Sequence, residues 1–134
     1  MWRYIFIVCG LLFANIQQAE ANIRISQATP VIYQVGEASY YGKAHAGKKT
    51  KSGEIFNPHA FTAAHNSLPM GTLIEVKSLE TGKYVIVRIT DTGKFGKYKR
   101  IVDLSEAAAN FIGIDKKHGI GKVEIRIIKI LKNI

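Results

Sequence analysis

The sequence is poor in cysteine, proline and acidic residues, and these shortages exclude several classes of protein. Its 134 residues include one cysteine and three prolines, and 19 lysines and arginines outnumber 10 aspartates and glutamates, which gives a formal net charge of +9. A single cysteine excludes a disulfide framework and a thiolate metal cage. Hydrophobic residues make up 47% of the chain, too many for a disordered protein, and the length suits one domain with a real core.

No apolar run reaches the roughly 20 residues that a membrane-spanning helix needs. The first 21 residues instead have the pattern of a secretory signal peptide, with a basic start, an apolar run over residues 4–14 and an A-x-A site that ends at Ala21. We expect cleavage after Ala21 and export to the periplasm or the medium. Cys9 lies within the apolar run without a preceding small residue, so we expect no lipid and no stable membrane anchor in the mature protein.

Export changes the meaning of the positive charge. Lysines are spread along the whole chain without a nucleic-acid recognition motif, so we expect no nucleic-acid partner. Two alternatives stay open. The charge can serve binding to cell-wall carboxylates, phosphorylated wall polymers or anionic lipid head groups, or it can simply keep the protein soluble.

The mature chain divides into a leader or linker over residues 22–35 and a β-rich domain over residues 36–131. Six segments have strand patterns: Gly36–Gly42, Phe61–His65, Thr72–Lys77, Lys83–Asp91, Arg100–Asp103 and Lys122–Leu131. Ser105 is a good helix N-cap, and Gly113 is placed to end the short helix that follows. Several short strands with one short helix favour a small β-barrel.

Asp91 occupies an unusual position at the end of the clearest strand. Strand side chains alternate between two faces, so the carboxylate shares one side with the apolar residues Val85, Val87 and Ile89. We therefore expect Asp91 at the rim of the core-facing row, where partial burial favours the protonated carboxyl that a general acid needs. The alternative is a turn aspartate that bonds local backbone.

Other polar residues suit glycan chemistry, in which carboxyl groups move protons and aromatic rings stack on sugars. Glu54 lies in a polar loop, His65 precedes a turn and Asp103 precedes the Ser105 cap. Their structural alternatives are a solvated charge, a packing histidine and a buried hydrogen-bond acceptor. The four histidines lack paired metal-ligand spacing, and the chain lacks a G-x-S-x-G elbow and a glycine-rich phosphate loop, so we expect no metal site and no cofactor.

Five segments resemble, in order, the motifs of the bacterial rare lipoprotein A family. They are GEASYYG at 36–42, TKSGEIF at 50–56, FTAAH with LPMGT over 61–72, VIVRITDTG at 85–93 and RIVDLSEAAA at 100–109. The resemblance implies a mainly β fold, a six-stranded double-psi β-barrel with one or two short helices, which expansins share. Thr92 and Lys94 depart from the family pattern, which has Arg and Pro at these positions.

The resemblance also implies a function. Members of the family are lytic transglycosylases, which cleave the bond between N-acetylmuramic acid and N-acetylglucosamine in peptidoglycan strands poor in stem peptides and leave a 1,6-anhydro end. The implied partner is the glycan strand, and we expect a monomer. The rival interpretation is a non-catalytic, expansin-like module that binds glycans without cutting them.

Three residues of this chain match active-site positions of the family, and three more are candidates for substrate binding. Asp91 matches the catalytic acid and base, and the other matching catalytic positions are Glu54 and His65. For substrate binding we select Asp103 and the adjacent Tyr40 and Tyr41, of which one must face the core if this segment is a strand.

Overall fold

The computed structural model describes residues 15–17, 31–40, 45–93, 99–114, 117 and 119–130. Within these ranges the chain forms six strands, a helix that follows the fifth strand, and a helical segment at residues 15–17. The elements are β1 (Ile32–Tyr40), β2 (Thr62–Ala64), β3 (Leu73–Ser78), β4 (Tyr84–Asp91), β5 (Arg100–Leu104), α1 (Glu106–Phe111) and β6 (Ile120–Lys129).

The strands close into a barrel in the order β1-β5-β2-β4-β3-β6. The β1–β5 and β2–β4 pairs are parallel, and the other four pairs are antiparallel. This closed six-stranded barrel confirms the predicted fold class. β1 begins at Ile32, before the predicted start at Gly36, so the strand extends into the segment expected to be a leader.

The barrel interior is filled by alternate residues of the strands. β3 and β4 show the alternation most clearly, because every second residue from Ile74 to Ser78 and from Val85 to Ile89 is buried. The fully buried side chains of the core include Ile74, Val76, Val87, Ile89, Val102, Leu104, Ile112, Val123 and Ile125. A core of β-branched and leucine side chains makes the barrel a rigid support for groups on its outer face.

Helix α1 begins and ends where the sequence predicts. The Ser105 hydroxyl donates to the Ala60 carbonyl at 2.6 Å and accepts from the backbone N–H of Ala108 at 3.3 Å. Gly113 has a φ of 85°, the left-handed conformation that glycine adopts without strain at a helix end. This capped helix follows directly from β5 and fixes the strand end that carries Asp103.

A β-bulge at the end of β4 corrects the predicted orientation of Asp91. Ala63 pairs with Ile89, but the next β2 residue, Ala64, pairs with Asp91, so Thr90 is the extra residue. The bulge interrupts the alternation, and Asp91 no longer shares a face with Ile89. The carboxylate belongs to the face of Ala64 and lies outside the core-facing row in which it was predicted.

Some predictions fall on residues that the structure does not describe. Apart from residues 15–17, the expected signal peptide lies outside the described ranges, as do Tyr41 and Lys94. Among the described residues, no helix has the length and apolar character that crossing a bilayer requires.

Candidate functional site

Two carboxylates are brought close together by residues that pair in register across four neighbouring strands. We call this set, Ser39, Asp103, Ala64 and Asp91, the carboxyl row. Ser39 of β1 pairs with Asp103 of β5. Ala64 of β2 pairs with Asp103 on one side and with Asp91 of β4 on the other. Register partners share one face of a sheet. With neighbouring strands about 4.8 Å apart, the α-carbons of Asp91 and Asp103 lie roughly 10 Å apart, on either side of the small Ala64 side chain.

Asp103 is half-buried and belongs to a short chain of hydrogen bonds. Arg100 Nη1 donates to Ser39 Oγ at 3.3 Å, and Ser39 Oγ donates to Asp103 Oδ1 at 3.0 Å. Burial is the largest influence and raises the pKa of Asp103 above its ordinary value, while the Ser39 bond and the Arg100 charge oppose the shift. His45 adds a smaller lowering charge, and the nearby Asp91 raises the pKa of Asp103 further. This carboxyl therefore retains its proton to higher pH than an exposed aspartate.

Asp91 has a different environment, in which backbone N–H groups approach its carboxylate. Oδ1 accepts from the N–H of Lys51 at 3.2 Å and from the N–H of Thr92 at 2.9 Å. Thr92 makes this contact through its backbone N–H. The contact therefore does not depend on the arginine side chain that the family pattern has at this position. The two carboxyls of the row thus have contrasting surroundings, one buried and one bonded by N–H donors.

The loop that reaches Asp91 is ordered by its own polar residues. Thr50 Oγ1 lies 2.8 Å from Ser52 Oγ and donates to the Glu54 carbonyl at 3.0 Å. Gly53, at a φ of 88°, closes the turn by donating its N–H to the Thr50 carbonyl at 3.0 Å. The N–H of Ser52 also donates to the Thr90 carbonyl at 3.0 Å. These bonds hold the loop against the bulge that orients Asp91.

Glu54 extends from this loop towards the outer face of β4. Its Oε1 accepts from Arg88 Nη1 at 2.6 Å, and both side chains are more than two-fifths exposed. An exposed ion pair of this kind contributes little to stability. The pair instead leaves two polar groups on the surface next to the loop that contacts Asp91, where they are available to contact a ligand.

His65 is buried and both of its ring nitrogens have partners. Nδ1 accepts the backbone N–H groups of Ser67 and Leu68, each at 3.1 Å, which requires Nε2 to carry the proton that faces Gln34 Oε1 at 3.0 Å. Burial lowers the pKa of His65 and keeps the ring neutral. Its backbone N–H donates to the Asp91 carbonyl at 3.1 Å. His65 thus ties the turn after β2 to the strand end that carries Asp91.

Replacing His65 with alanine should destabilise the fold. The N–H groups of Ser67 and Leu68 would lose their acceptor, and an unsatisfied buried donor costs about 1–3 kcal/mol. We expect a fall of this size in the free energy of unfolding, measured by urea denaturation at pH 8. Because the folded pKa is lowered, the parental protein should also lose stability as pH falls below the ordinary histidine range, a slope that His65→Gln should reduce. An unchanged free energy of unfolding for His65→Ala would contradict this structural role.

Of the two aromatic candidates, Tyr40 lies within the described residues. Tyr40 pairs with Leu104 on the core-facing side of β1 and packs against the hydrophobic core, which argues against its selection as a stacking residue. Sequence reasoning also missed Ser39 and Arg100, which support Asp103. Both lie within the family-like segments, but neither has a titrating side chain, so a search for proton donors and acceptors passes over them.

The immediate surroundings of Asp91 are cationic. A small pocket of about 110 Å³ adjoins the carboxylate and is lined by His45, Lys48, Lys49, Thr50, Phe56 and Asp91. Lysines beside the carboxyl row favour an anionic ligand. Within the described ranges, no group of three or more His, Cys, Asp or Glu side chains could hold a metal ion.

Comparisons with known proteins give close matches over most of the chain. A family model described as lytic transglycolase matches residues 33–125. The probable endolytic peptidoglycan transglycosylase RlpA of Synechocystis sp. is 42% identical over 116 residues, covering 87% of this chain and 36% of that protein. The endolytic peptidoglycan transglycosylase RlpA of Haemophilus influenzae is 46% identical over 98 residues, covering 73% and 33%. The chain therefore spans about a third of the length of these curated relatives.

Solved structures share the architecture at low sequence identity. An apo expansin of Clavibacter michiganensis aligns with a TM-score of 0.57 and 19% identity, covering 74% of this chain and 52% of that one. A Streptomyces papain inhibitor aligns with a TM-score of 0.56 and 18% identity, covering 73% and 97%. At these identities the likeness concerns the fold alone.

Proposed function

Since the chain belongs to the lytic transglycolase family of double-psi β-barrel proteins, we propose that it cleaves peptidoglycan glycan strands. The observation that carries this proposal is that Asp91 and Asp103 both pair with Ala64, one on each side of it. Two carboxyls with contrasting environments are what acid and base catalysis at one bond needs. The curated relatives are named peptidoglycan transglycosylases, which supports this substrate class.

The bond to be broken joins N-acetylmuramic acid to N-acetylglucosamine. Asp103, with its raised pKa, donates a proton to the glycosidic oxygen, and the bond from that oxygen to the anomeric carbon breaks. Asp91 accepts the proton of the muramic C6 hydroxyl, whose oxygen forms a new bond to the same anomeric carbon. The product is a 1,6-anhydro end without addition of water. Proton exchange with solvent then restores both carboxyls.

This division of labour gives to two residues the acid and base roles that the family resemblance gives to Asp91 alone. A single carboxyl can act first as acid and then as base, so Asp91 alone could serve both steps. The separate environments support two residues instead. Burial favours the protonated form of Asp103, whereas Asp91 lies at the end of β4 and accepts hydrogen bonds from the N–H groups of Lys51 and Thr92.

The remaining polar residues of the site either position the two carboxyls or contact the substrate. Ser39 orients the Asp103 carboxyl, and His65 fixes the strand end that carries Asp91. Glu54 lies on the exposed loop, where it forms an ion pair with Arg88 of β4, and it contacts the sugar. Of these three, Glu54 alone has the exposure needed to touch a substrate directly, so we assign His65 a positioning role.

We further propose the setting in which this activity operates. Residues 1–21 direct export, and the mature protein acts as a monomer in the periplasm or outside the cell, without a stable membrane anchor. Its substrates are strands poor in stem peptides. Each muramic residue of such strands carries an uncovered lactyl carboxylate, and the lysines beside Asp91 and the net charge of +9 suit this anionic chain.

The rival function is glycan binding without cleavage. The replacement of the usual arginine by Thr92 directly beside Asp91 favours it, because the side chain next to the carboxylate has lost its charge. Peptide-free peptidoglycan strands separate the two functions. A transglycosylase shortens these strands at a rate proportional to protein concentration, whereas a binding module forms a complex with them and shortens none above the level of a boiled control.

A further inference from the structure

An exposed apolar surface lies on the outer face of β4, away from the carboxyl row. It consists of Phe61, Tyr84, Ile86 and Phe111, which we call the aromatic face, and each of these side chains is close to half exposed. Phe61 and Phe111 contact each other edge to face, with ring centroids 5.5 Å apart. Contiguous exposed apolar side chains of this kind mark interaction surfaces.

The aromatic face borders an open groove. Tyr84 and Phe111 line this groove together with Gly82 and Lys83, and its volume is about 520 Å³. The groove walls are well fixed, because Thr81 Oγ1 donates to the Ile112 carbonyl at 2.8 Å and joins the β3–β4 turn to the end of α1. Aromatic rings on rigid supports bind with little loss of side-chain entropy.

The outer face of β4 connects this groove to the candidate active site. Tyr84, Ile86 and Arg88 alternate with buried residues and therefore point to the same side. Arg88 binds Glu54, which belongs to the loop that contacts Asp91. β4 has eight residues, so Tyr84 and Asp91 lie roughly 23 Å apart, a distance that several linked sugars can span.

We propose that the aromatic face is a distal binding site for the same glycan strand that the active site cleaves. This inference rests on the proposed function for the identity of the ligand. Tyr84 and Phe111 stack on sugar rings, and Lys83 and Arg88 attract the lactyl carboxylates of strands that lack stem peptides. The site makes the protein selective for long strands, because a short oligosaccharide cannot occupy both ends of β4 at once.

The test compares binding of long and short glycans in an Asp91→Asn background, which prevents turnover. The variant carries Tyr84→Ala and Phe111→Ala, two exposed positions whose truncation leaves the core intact. The probes are long peptide-free peptidoglycan strands and a tetrasaccharide of the same repeat, titrated calorimetrically. We expect about three- to tenfold weaker binding of long strands and unchanged binding of the tetrasaccharide.

Val35→Ala is the matched control, since Val35 is equally exposed and lies on β1, across the barrel from β4. It should leave both affinities unchanged. Equal affinities of the double variant and the parent for long strands would overturn the proposal, as would an equal loss on both probes. A parental dimer that the double variant disrupts without loss of glycan affinity would also overturn it. Length-selective binding by a protein that never cleaves would support the distal site while refuting the proposed activity.

Discussion

Asp91→Asn should lower the rate of glycan cleavage by about 10²–10⁴-fold, the usual cost of losing a general acid or base. Asparagine has nearly the same shape, and its amide oxygen can still accept the N–H groups of Lys51 and Thr92. It cannot take up the proton of the muramic C6 hydroxyl. The fold and the affinity for peptide-free strands should therefore persist while cleavage of these strands falls. The rates are measured on peptide-free strands, and folding is followed by circular dichroism.

Glu80→Gln provides the control for this experiment, because it removes an exposed carboxylate from the β3–β4 turn, at the opposite end of β4 from the site. It should cleave at the parental rate. A folded Asp91→Asn protein that also cleaves at the parental rate would remove Asp91 from the reaction and leave Asp103 without its partner.

Asp103→Asn should have opposite effects on activity and stability. Burial raises the pKa of Asp103 in the folded protein, so ionisation of this carboxyl costs folding free energy as pH rises through that pKa. Asparagine remains neutral and can still accept from Ser39 Oγ. At neutral pH the variant should melt at a higher temperature than the parent, while cleavage falls by about 10²–10⁴-fold because the proton donor is lost.

The pH dependence makes this prediction specific. Below the ordinary aspartate pKa, the carboxyl is protonated in both folded and unfolded protein, so the stability advantage of Asp103→Asn should disappear there. Parental activity should decline as pH rises through the elevated pKa of Asp103, because the carboxyl loses the proton that it donates to the glycosidic oxygen. An Asp103→Asn protein with a lower melting temperature at neutral pH and normal cleavage would show that the ionised carboxylate is structural.

Local sequence patterns predicted the elements on which the barrel depends. Alternation in β3 and β4 identified strands because one face of each is buried by the core. Ser105 and Gly113 identified α1 because capping depends on nearby backbone groups. β1 was predicted too short, since Ile32, Tyr33 and Val35 are all exposed and give no alternating signal.

The arrangement of the site depended on contacts between distant residues. Whether Asp91 faces inward or outward is decided by the bulge at Thr90, and the bulge arises from register with β2. Ser39 and Asp103 are 64 residues apart in the chain, so their hydrogen bond has no local signature. The sequence indicated which carboxyls to consider. The strand order places two of them, Asp91 and Asp103, on either side of Ala64.

The most direct test of the proposed reaction is the chemical nature of the new glycan end. Peptide-free strands are digested with the parental protein, and the products are analysed by mass spectrometry before and after borohydride reduction. Transfer of the C6 oxygen predicts 1,6-anhydro ends, which are lighter than ordinary reducing ends by one water and resist reduction. Products with reducible ends would show hydrolysis instead, and intact strands that remain bound to the protein would show an expansin-like binding module; either result contradicts the lytic mechanism.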